Sequence, residues 1–159
     1  GVTNTVIAQG LMAMAGIGIV IGSLLAGRLS RRVLALGLIP IGAIGVSLHL
    51  LLLPLLHQPL FLGLLFGSYG LFGGLFLVPL HALIQYCSPE RHLGQVLAGS
   101  NLIQNSIMSL FLGVTIGFSA LNMTSIPMFY LMAIISILGT AYVVKRFFKS
   151  LLRLSRRWL

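Results

Sequence analysis

Five stretches of the chain are apolar almost without interruption, and polar residues gather in the short breaks between them. By this pattern the spans lie near Val6–Ala26, Val33–Leu56, Leu60–Gln85, Leu93–Leu121 and Met128–Val144. Each reaches the range of about 17–25 residues that a helix needs to cross the hydrocarbon core of a bilayer. Pro40, Pro54 and Pro79 fall inside or near the ends of spans and predict bends, which membrane helices tolerate. The expected fold is an all-α membrane protein with five transmembrane helices.

The breaks differ in charge. Arg28, Arg31 and Arg32 follow the first span, and Glu90 and Arg91 follow the third. Lys145, Arg146, Lys149, Arg153, Arg156 and Arg157 follow the fifth. The other two breaks, "HQP" (His57–Pro59) and "NMTSIP" (Asn122–Pro127), hold no Lys or Arg. All ten cationic residues thus fall on one side of a five-span arrangement. Cytoplasmic loops concentrate Lys and Arg, so this side is expected to be cytoplasmic and the N-terminus outside.

Composition agrees with the pattern. The chain is 58% hydrophobic and 7% charged, against about 25% charged for a soluble domain. A net charge of +9 would suggest nucleic acid in a soluble protein. Here the cations form short clusters outside the spans, which read as orientation signals, and no nucleic-acid partner is expected. A single cysteine, Cys87, excludes an internal disulfide and a cysteine-based zinc site. No cofactor is implied, and no two of the histidines share ligand spacing with a carboxylate, so no metal site is expected. The sequon at Asn122–Thr124 is a chance match. The chain starts at Gly1 without a methionine, and its first apolar run lacks the basic flank of a signal peptide. Five spans starting outside suit a segment that has lost one preceding helix from a six-helix unit.

Small residues recur at helical spacing. Gly63, Gly67, Gly70 and Gly74 line the third span, Gly18 and Gly22 the first, and Gly113 and Gly117 the fourth. Such faces let helices approach closely in lipid, where packing drives association. Tight packing in a bundle is the plainer meaning; a smooth surface for rocking helices is the functional one.

The first charged loop reads "GSLLAGRLSRRVL", Gly22 to Leu34. It resembles the loop between the second and third helices of the major facilitator superfamily, repeated in degenerate form between the eighth and ninth. The matching positions are Gly22, Leu24, Ala26, Arg28, Arg31 and Arg32; Gly27 stands where the family has an acid, and Ser30 replaces its second glycine. Loss of the acid is typical of the degenerate copy and favours helices eight to twelve. Glycine there permits a sharp turn. The arginines can meet a carboxylate or helix C-terminal carbonyls and latch the cytoplasmic side. Glu90 is the only acid in the chain and hence the candidate partner.

Further along, "VPLHALIQ" (Val78–Gln85), a short Pro-containing turn, "GQVLAGSN" (Gly94–Asn101) and "NLIQN" (Asn101–Asn105) are similar to the tenth and eleventh helices of the bacterial lysophospholipid transporter branch. With the first loop, the resemblance covers about residues 10–120. It implies residues 1–144 as helices eight to twelve of a twelve-helix transporter, completed by a missing N-terminal half. The implied activity is movement of lysophospholipids across the bacterial inner membrane by alternating access, for re-acylation. Relatives of this branch also occur fused to a phospholipid acyltransferase and an acyl-carrier-protein synthetase. Two other readings stand beside it: a drug-efflux or nutrient permease of the same architecture, and the membrane domain of such a fusion. A first half of the transporter, with the tail as its central loop, is a further alternative. No acyl-transfer site is visible, since the chain has no Asp and neither His81 nor His92 lies four residues from an acid; the segment itself is not expected to be an enzyme.

Candidate substrate-binding residues follow from polarity within the spans. Asn101, Gln104 and Asn105 share one helical face with Met108 and Leu112. Amides are costly in lipid unless they meet protein or water, so this face should point into the bundle. There it either forms interhelical hydrogen bonds or contacts a zwitterionic or glycerol-phosphate headgroup. Gln85, His81 and, more weakly, Gln9 are candidates for the same cavity. No span holds Asp, Glu, Lys or Arg, which argues against proton coupling through this segment. His49 and His57 are expected to be structural or interfacial. Residues 145–159, "KRFFKSLLRLSRRWL", form a basic amphipathic tail or linker suited to an anionic cytoplasmic leaflet.

Overall fold

The computed structural model describes residues 2–29, 37–56, 58–120 and 126–155, with side chains described for 5–29, 37–56, 58–89, 91–118, 120 and 130–145. Five α-helices form it: α1 (Val2–Leu29), α2 (Leu38–Leu52), α3 (Pro59–Cys87), α4 (Leu93–Ala120) and α5 (Ile126–Ser155). The described residues contain no strand. α1, α3, α4 and α2 with its extension are each long and apolar enough to cross a membrane; the apolar part of α5 spans Tyr130–Lys145. Lipid offers no hydrogen-bond partner to the backbone, so a chain this apolar satisfies its own N–H and C=O groups by helix.

All five expected apolar segments are helical, four of them long enough to span and the fifth shorter among the described residues, and the prolines set several of their limits. Pro40 sits in the first turn of α2, where its missing N–H costs no helical bond, so no bend is needed there. Pro54 lies in a single 3-10 turn, Leu53–Leu55, which closes α2 with the Leu56 N–H on the Leu53 carbonyl at 3.5 Å. Gln58 and Ser88 each precede a proline and are extended, with ψ of 130° and 131°. Pro59 therefore opens α3 at its first position, and the Ser88–Pro89 step ends it. Ser88 caps that end, its hydroxyl donating to the Ile84 carbonyl at 2.6 Å. Pro79 is fully buried within α3, and the helix runs on through it. The expected start of the second span at Val33 lies outside the described residues, as do Asn122–Thr124.

α3 is the centre of the bundle. Gly70 and Gly74 face α1, while Phe72 and Phe76 face α2. Positions two apart on a helix of 3.6 residues per turn point about 200° apart, so α1 and α2 lie on opposite sides of α3. The α1–α3 contact is backbone against backbone. A methyl group at Gly18 would overlap the Gly67 carbonyl, one at Gly22 the Leu71 carbonyl, and one at Gly70 the Ala15 carbonyl. At Gly74 it would stand 2.7 Å from both the Ile19 carbonyl and the Ser23 nitrogen. α2 approaches almost as closely, since a methyl at Gly42 would lie 2.7 Å from the Phe76 nitrogen. α5 packs on the other side of α2, where Ala133 is 1% exposed.

These contacts also fix direction. Along α1 and α3 the partner numbers rise together, from Ala15 with Gly70 to Ile19 with Gly74, so the two helices are parallel. Between α2 and α3 they run oppositely, Gly42 with Phe76 and Gly45 with Phe72, so those are antiparallel. α5 is likewise antiparallel to α2, as Ala43 pairs with Thr140 and Ser47 with Ser136. The C-terminal ends of α1, α3 and α5 therefore share one end of the bundle. That end carries the exposed Arg28, Arg91 and Lys145. α4 stands apart: it meets α3 only sparsely, and none of its described side chains is buried. Of the three glycine faces, two are used; methyl groups at Gly113 and Gly117 would meet nothing within 4 Å.

Replacement of Gly22 by valine should therefore separate α1 from α3 at a cost of about 1–3 kcal/mol, the usual range for overpacking. Gly113→Val should be near neutral in this chain. Thermal unfolding in detergent, read by gel filtration of heated samples, separates the two outcomes.

Candidate substrate face and interhelical polar contacts

The sequence places its candidate residues on α1, α3 and α4, and the fold distributes them unequally. Asn101, Gln104 and Asn105 are all exposed, on a run of α4 from 101 to 110 in which every position is exposed. Gln104 donates through Nε2 to the Ser100 hydroxyl of its own helix at 3.0 Å. Asn101 and Asn105 make no hydrogen bond among the described residues. On α3, His81 is half-buried and Gln85 exposed. Both continue the face that carries Gly70 and Gly74, seven and eleven residues on from Gly74. No hydrogen bond joins them to the α4 amides among the described residues. Gln9 is exposed on α1.

Two hollows lie elsewhere. One of about 430 Å³ runs between the N-terminal parts of α1 and α3 and is apolar, with Leu11, Met14 and Leu64 on its walls. The other, about 230 Å³, lies between α2, α3 and α5 beside Phe76 and Thr140. Neither takes in a candidate residue. In the loop signature, Gly22 is buried against the Leu71 backbone, whereas Gly27 faces open space and Arg28 is exposed. Arg31, Arg32, His57 and the Glu90 side chain lie outside the described residues, as does the side-chain pattern of the tail. The α5 backbone continues as helix through Ser155. Cys87 is exposed at the end of α3.

The residues that the fold does assemble are small polar groups on α2. Ser47 is 6% exposed and bonds to α5. The Thr140 hydroxyl donates to the Ala43 carbonyl at 3.1 Å, so its oxygen accepts from Ser47 at 2.7 Å. The Ser47 oxygen in turn accepts from Ser136 at 2.8 Å. Each hydrogen in this chain of hydroxyls has one acceptor. Two residues further along α2, His49 joins the helix to α3. Its Nδ1 donates to the Gly45 carbonyl at 2.7 Å, and Nε2 lies 2.7 Å from the Ser68 hydroxyl. The same hydroxyl is 2.8 Å from the Leu64 carbonyl and 3.1 Å from that of Leu65. The Phe72 ring leans on the imidazole with centroids 5.3 Å apart, in the space left by Gly45. His49 thus has the structural role expected of it. The serines and Thr140 went unnoticed in the sequence; their signal was isolated hydroxyls in apolar spans, two of them four residues apart on α5.

Taken together, these features define a polytopic α-helical membrane protein, packed through glycine and sparse hydroxyls, with cations gathered at one end and a polar helix face left open. Its sequence is 34% identical over 128 residues to the lysophospholipid transporter LplT of Escherichia coli O157:H7 (strain EC4115 / EHEC). The same identity over the same length is found with LplT of Shigella flexneri serotype 5b (strain 8401). The alignment takes in 80% of this chain but 31% of each relative, so the chain spans less than a third of the curated relatives it matches. No protein-family model matches the chain, and no solved structure does. The chain is thus similar in sequence to bacterial lysophospholipid transporters, the branch that the α3–α4 region resembles.

The hydroxyl chain on α2 has a measurable worth. A double-mutant cycle with Ser47→Ala and Thr140→Val should give a coupling of about 1 kcal/mol, the scale of interhelical hydrogen bonds in membranes. Chemical unfolding in mixed micelles reads this value; additive losses would mean the bond adds nothing.

Proposed function

We propose that the chain forms helices eight to twelve of a transporter that moves lysophospholipids across the bacterial inner membrane by alternating access. The observation that carries this reading is the identity with LplT proteins over most of the chain. The open face of α4 supports it. Asn101, Gln104 and Asn105 would be expensive against lipid tails, because a buried amide without a partner loses its hydrogen bonds to water. They belong against a water-filled cavity shared with the remainder of the transporter. There, neutral amides suit a zwitterionic headgroup, which offers phosphate oxygens as acceptors and an ammonium as donor. His81 and Gln85 extend the polar surface toward the cationic end.

In this reading the cationic end faces the cytoplasm, following the bias of Lys and Arg toward cytoplasmic loops. Gly22 and Gly27 shape the first loop, and Arg28, Arg31 and Arg32 form a gate with Glu90 as its acidic partner. Residues 145–159 lie along the inner leaflet, whose anionic lipids attract basic segments.

The full-length protein, purified into liposomes, should move a labelled lysophospholipid and leave sugars and dye substrates behind. Asn101→Leu and Asn105→Leu should each lower the transport rate about tenfold, the equivalent of one lost hydrogen bond of about 1.4 kcal/mol, with folding unchanged. Movement of sugars or dyes instead of the lipid would make the protein a different permease. For orientation, Cys87 should resist a membrane-impermeant maleimide added to intact spheroplasts and react in inverted vesicles. Labelling from outside would reverse the topology.

A further inference from the structure

The glycine stripe of α3 serves helix packing along only part of its length. At Gly70 and Gly74 the backbone of α1 leaves no room for a methyl group. Toward their N-terminal ends the two helices part. A methyl at Gly67 would sit 3.7 Å from the Met14 carbonyl, and one at Gly63 would meet only Leu11, at 3.9 Å. One at Gly10 of α1 would meet nothing within 4 Å. The apolar hollow of about 430 Å³ is the wedge that this parting leaves. Gly10 and Gly63 line it without side chains, and Ile7, Leu11, Leu60 and Leu64 give it apolar walls. These two glycines thus have no packing role among the described residues; what they provide is space.

Its dimensions restrict the occupant. The lining runs from Ile7 to Met14 along α1, about 10 Å of helix, within the roughly 15 Å that one leaflet contributes to the hydrocarbon core. Spread over that length, the volume gives a passage about 6–7 Å across, against about 10–12 Å for a helix with its side chains. A hydrocarbon chain, with carbon contacts at about 4 Å, fits this width once, and two abreast do not. The wedge closes at the Gly70–Ala15 contact and opens at the first turn of α3, where Pro59 and Leu60 line it. At that mouth Gln58 makes no side-chain cap to the helix. The positive end of the helix dipole there complements a phosphate.

We propose that this wedge holds the single acyl chain of a lysophospholipid, its terminal methyl toward Gly70 and its headgroup at the first turn of α3. The proposal rests on the lysophospholipid reading above and adds to it the place where the chain is held. The mouth lies at the end of the bundle opposite the cations, so the molecule enters from the leaflet on that side. Lipid tails are as apolar as the wedge, and entry brings little hydrophobic gain. The chain is held by close contact with bare backbone at Gly10 and Gly63 and with the apolar walls. A lipid with two chains seats one only by turning the other away, which sets the wedge against the bulk lipids of the bilayer.

The test is photolabelling of the full-length protein in nanodiscs of diacyl phosphatidylethanolamine and phosphatidylglycerol. The probe is lysophosphatidylethanolamine with a diazirine at the end of its chain, and mass spectrometry locates the label. Label should concentrate on Leu11, Met14 and Leu64 and be displaced by unlabelled lysophosphatidylethanolamine. Gly63→Leu should lower it about tenfold, within the usual cost of overpacking a site. Gly10→Leu fills the wedge from the other helix and should do the same, and gel filtration checks that each variant is folded. Label spread evenly over the lipid-facing helices, or unchanged in both variants, would overturn the proposal. Equal labelling of these residues by a diacyl probe would do so too, since bilayer lipid would then fill the wedge. Flux of lysophospholipid into liposomes is measured separately. Transport without label in the wedge removes this site alone, whereas label without transport keeps the site and removes the transporter reading.

Discussion

The direct contact between the backbones of α1 and α3 is the constraint on which the rest of the bundle depends. In lipid, apolar side chains gain little by leaving one hydrocarbon environment for another, so helices hold together only where they fit closely. Gly18, Gly22, Gly70 and Gly74 remove the side chains that would keep α1 and α3 apart. Once α3 is locked to α1 on one face, its opposite face presents Phe72 and Phe76 to the notches at Gly45 and Gly42 of α2. The direction of every packed helix follows from that arrangement, and the cations of three separate segments arrive at the same end.

Polar groups mark where the structure is closed and where it is open. On α2, Ser47 and His49 find partners on α5 and α3, so each buried hydrogen has an acceptor. An unpaired group there would cost more than the bond returns, which is why so few polar residues suffice to hold the register. On α4 the opposite holds. Of Asn101, Gln104 and Asn105, Gln104 alone has a partner among the described residues, on its own helix. Amides on an apolar helix are costly in lipid unless they meet water, a polar ligand or protein.

Much of the architecture is legible in the amino-acid sequence. Five apolar runs gave five helices because length and hydropathy decide membrane spans almost alone. The prolines that set the ends of α2 and α3 were visible too, although Pro40 proved to be a helix opener and not a bend. The glycine faces of α1 and α3 were correctly paired with close packing, but the same spacing at Gly113 and Gly117 meets open space. Spacing shows that a face is smooth; it does not show that a neighbour is there. The hydroxyls of Ser47, Ser136 and Thr140 were missed for the complementary reason, since their meaning lies in partners some ninety residues away.

The opposition of charged and uncharged connections, the number of helices and the polar face of α4 were determined by sequence alone, because each depends on local composition or on helical period. Which helices touch, and through which residues, was decided only in three dimensions. His49 shows the difference most plainly. As a lone histidine in an apolar run it promises nothing beyond a structural role. Set 2.7 Å from Ser68 and against Phe72, it ties α2 to α3, a role visible only in three dimensions because those groups come from another helix.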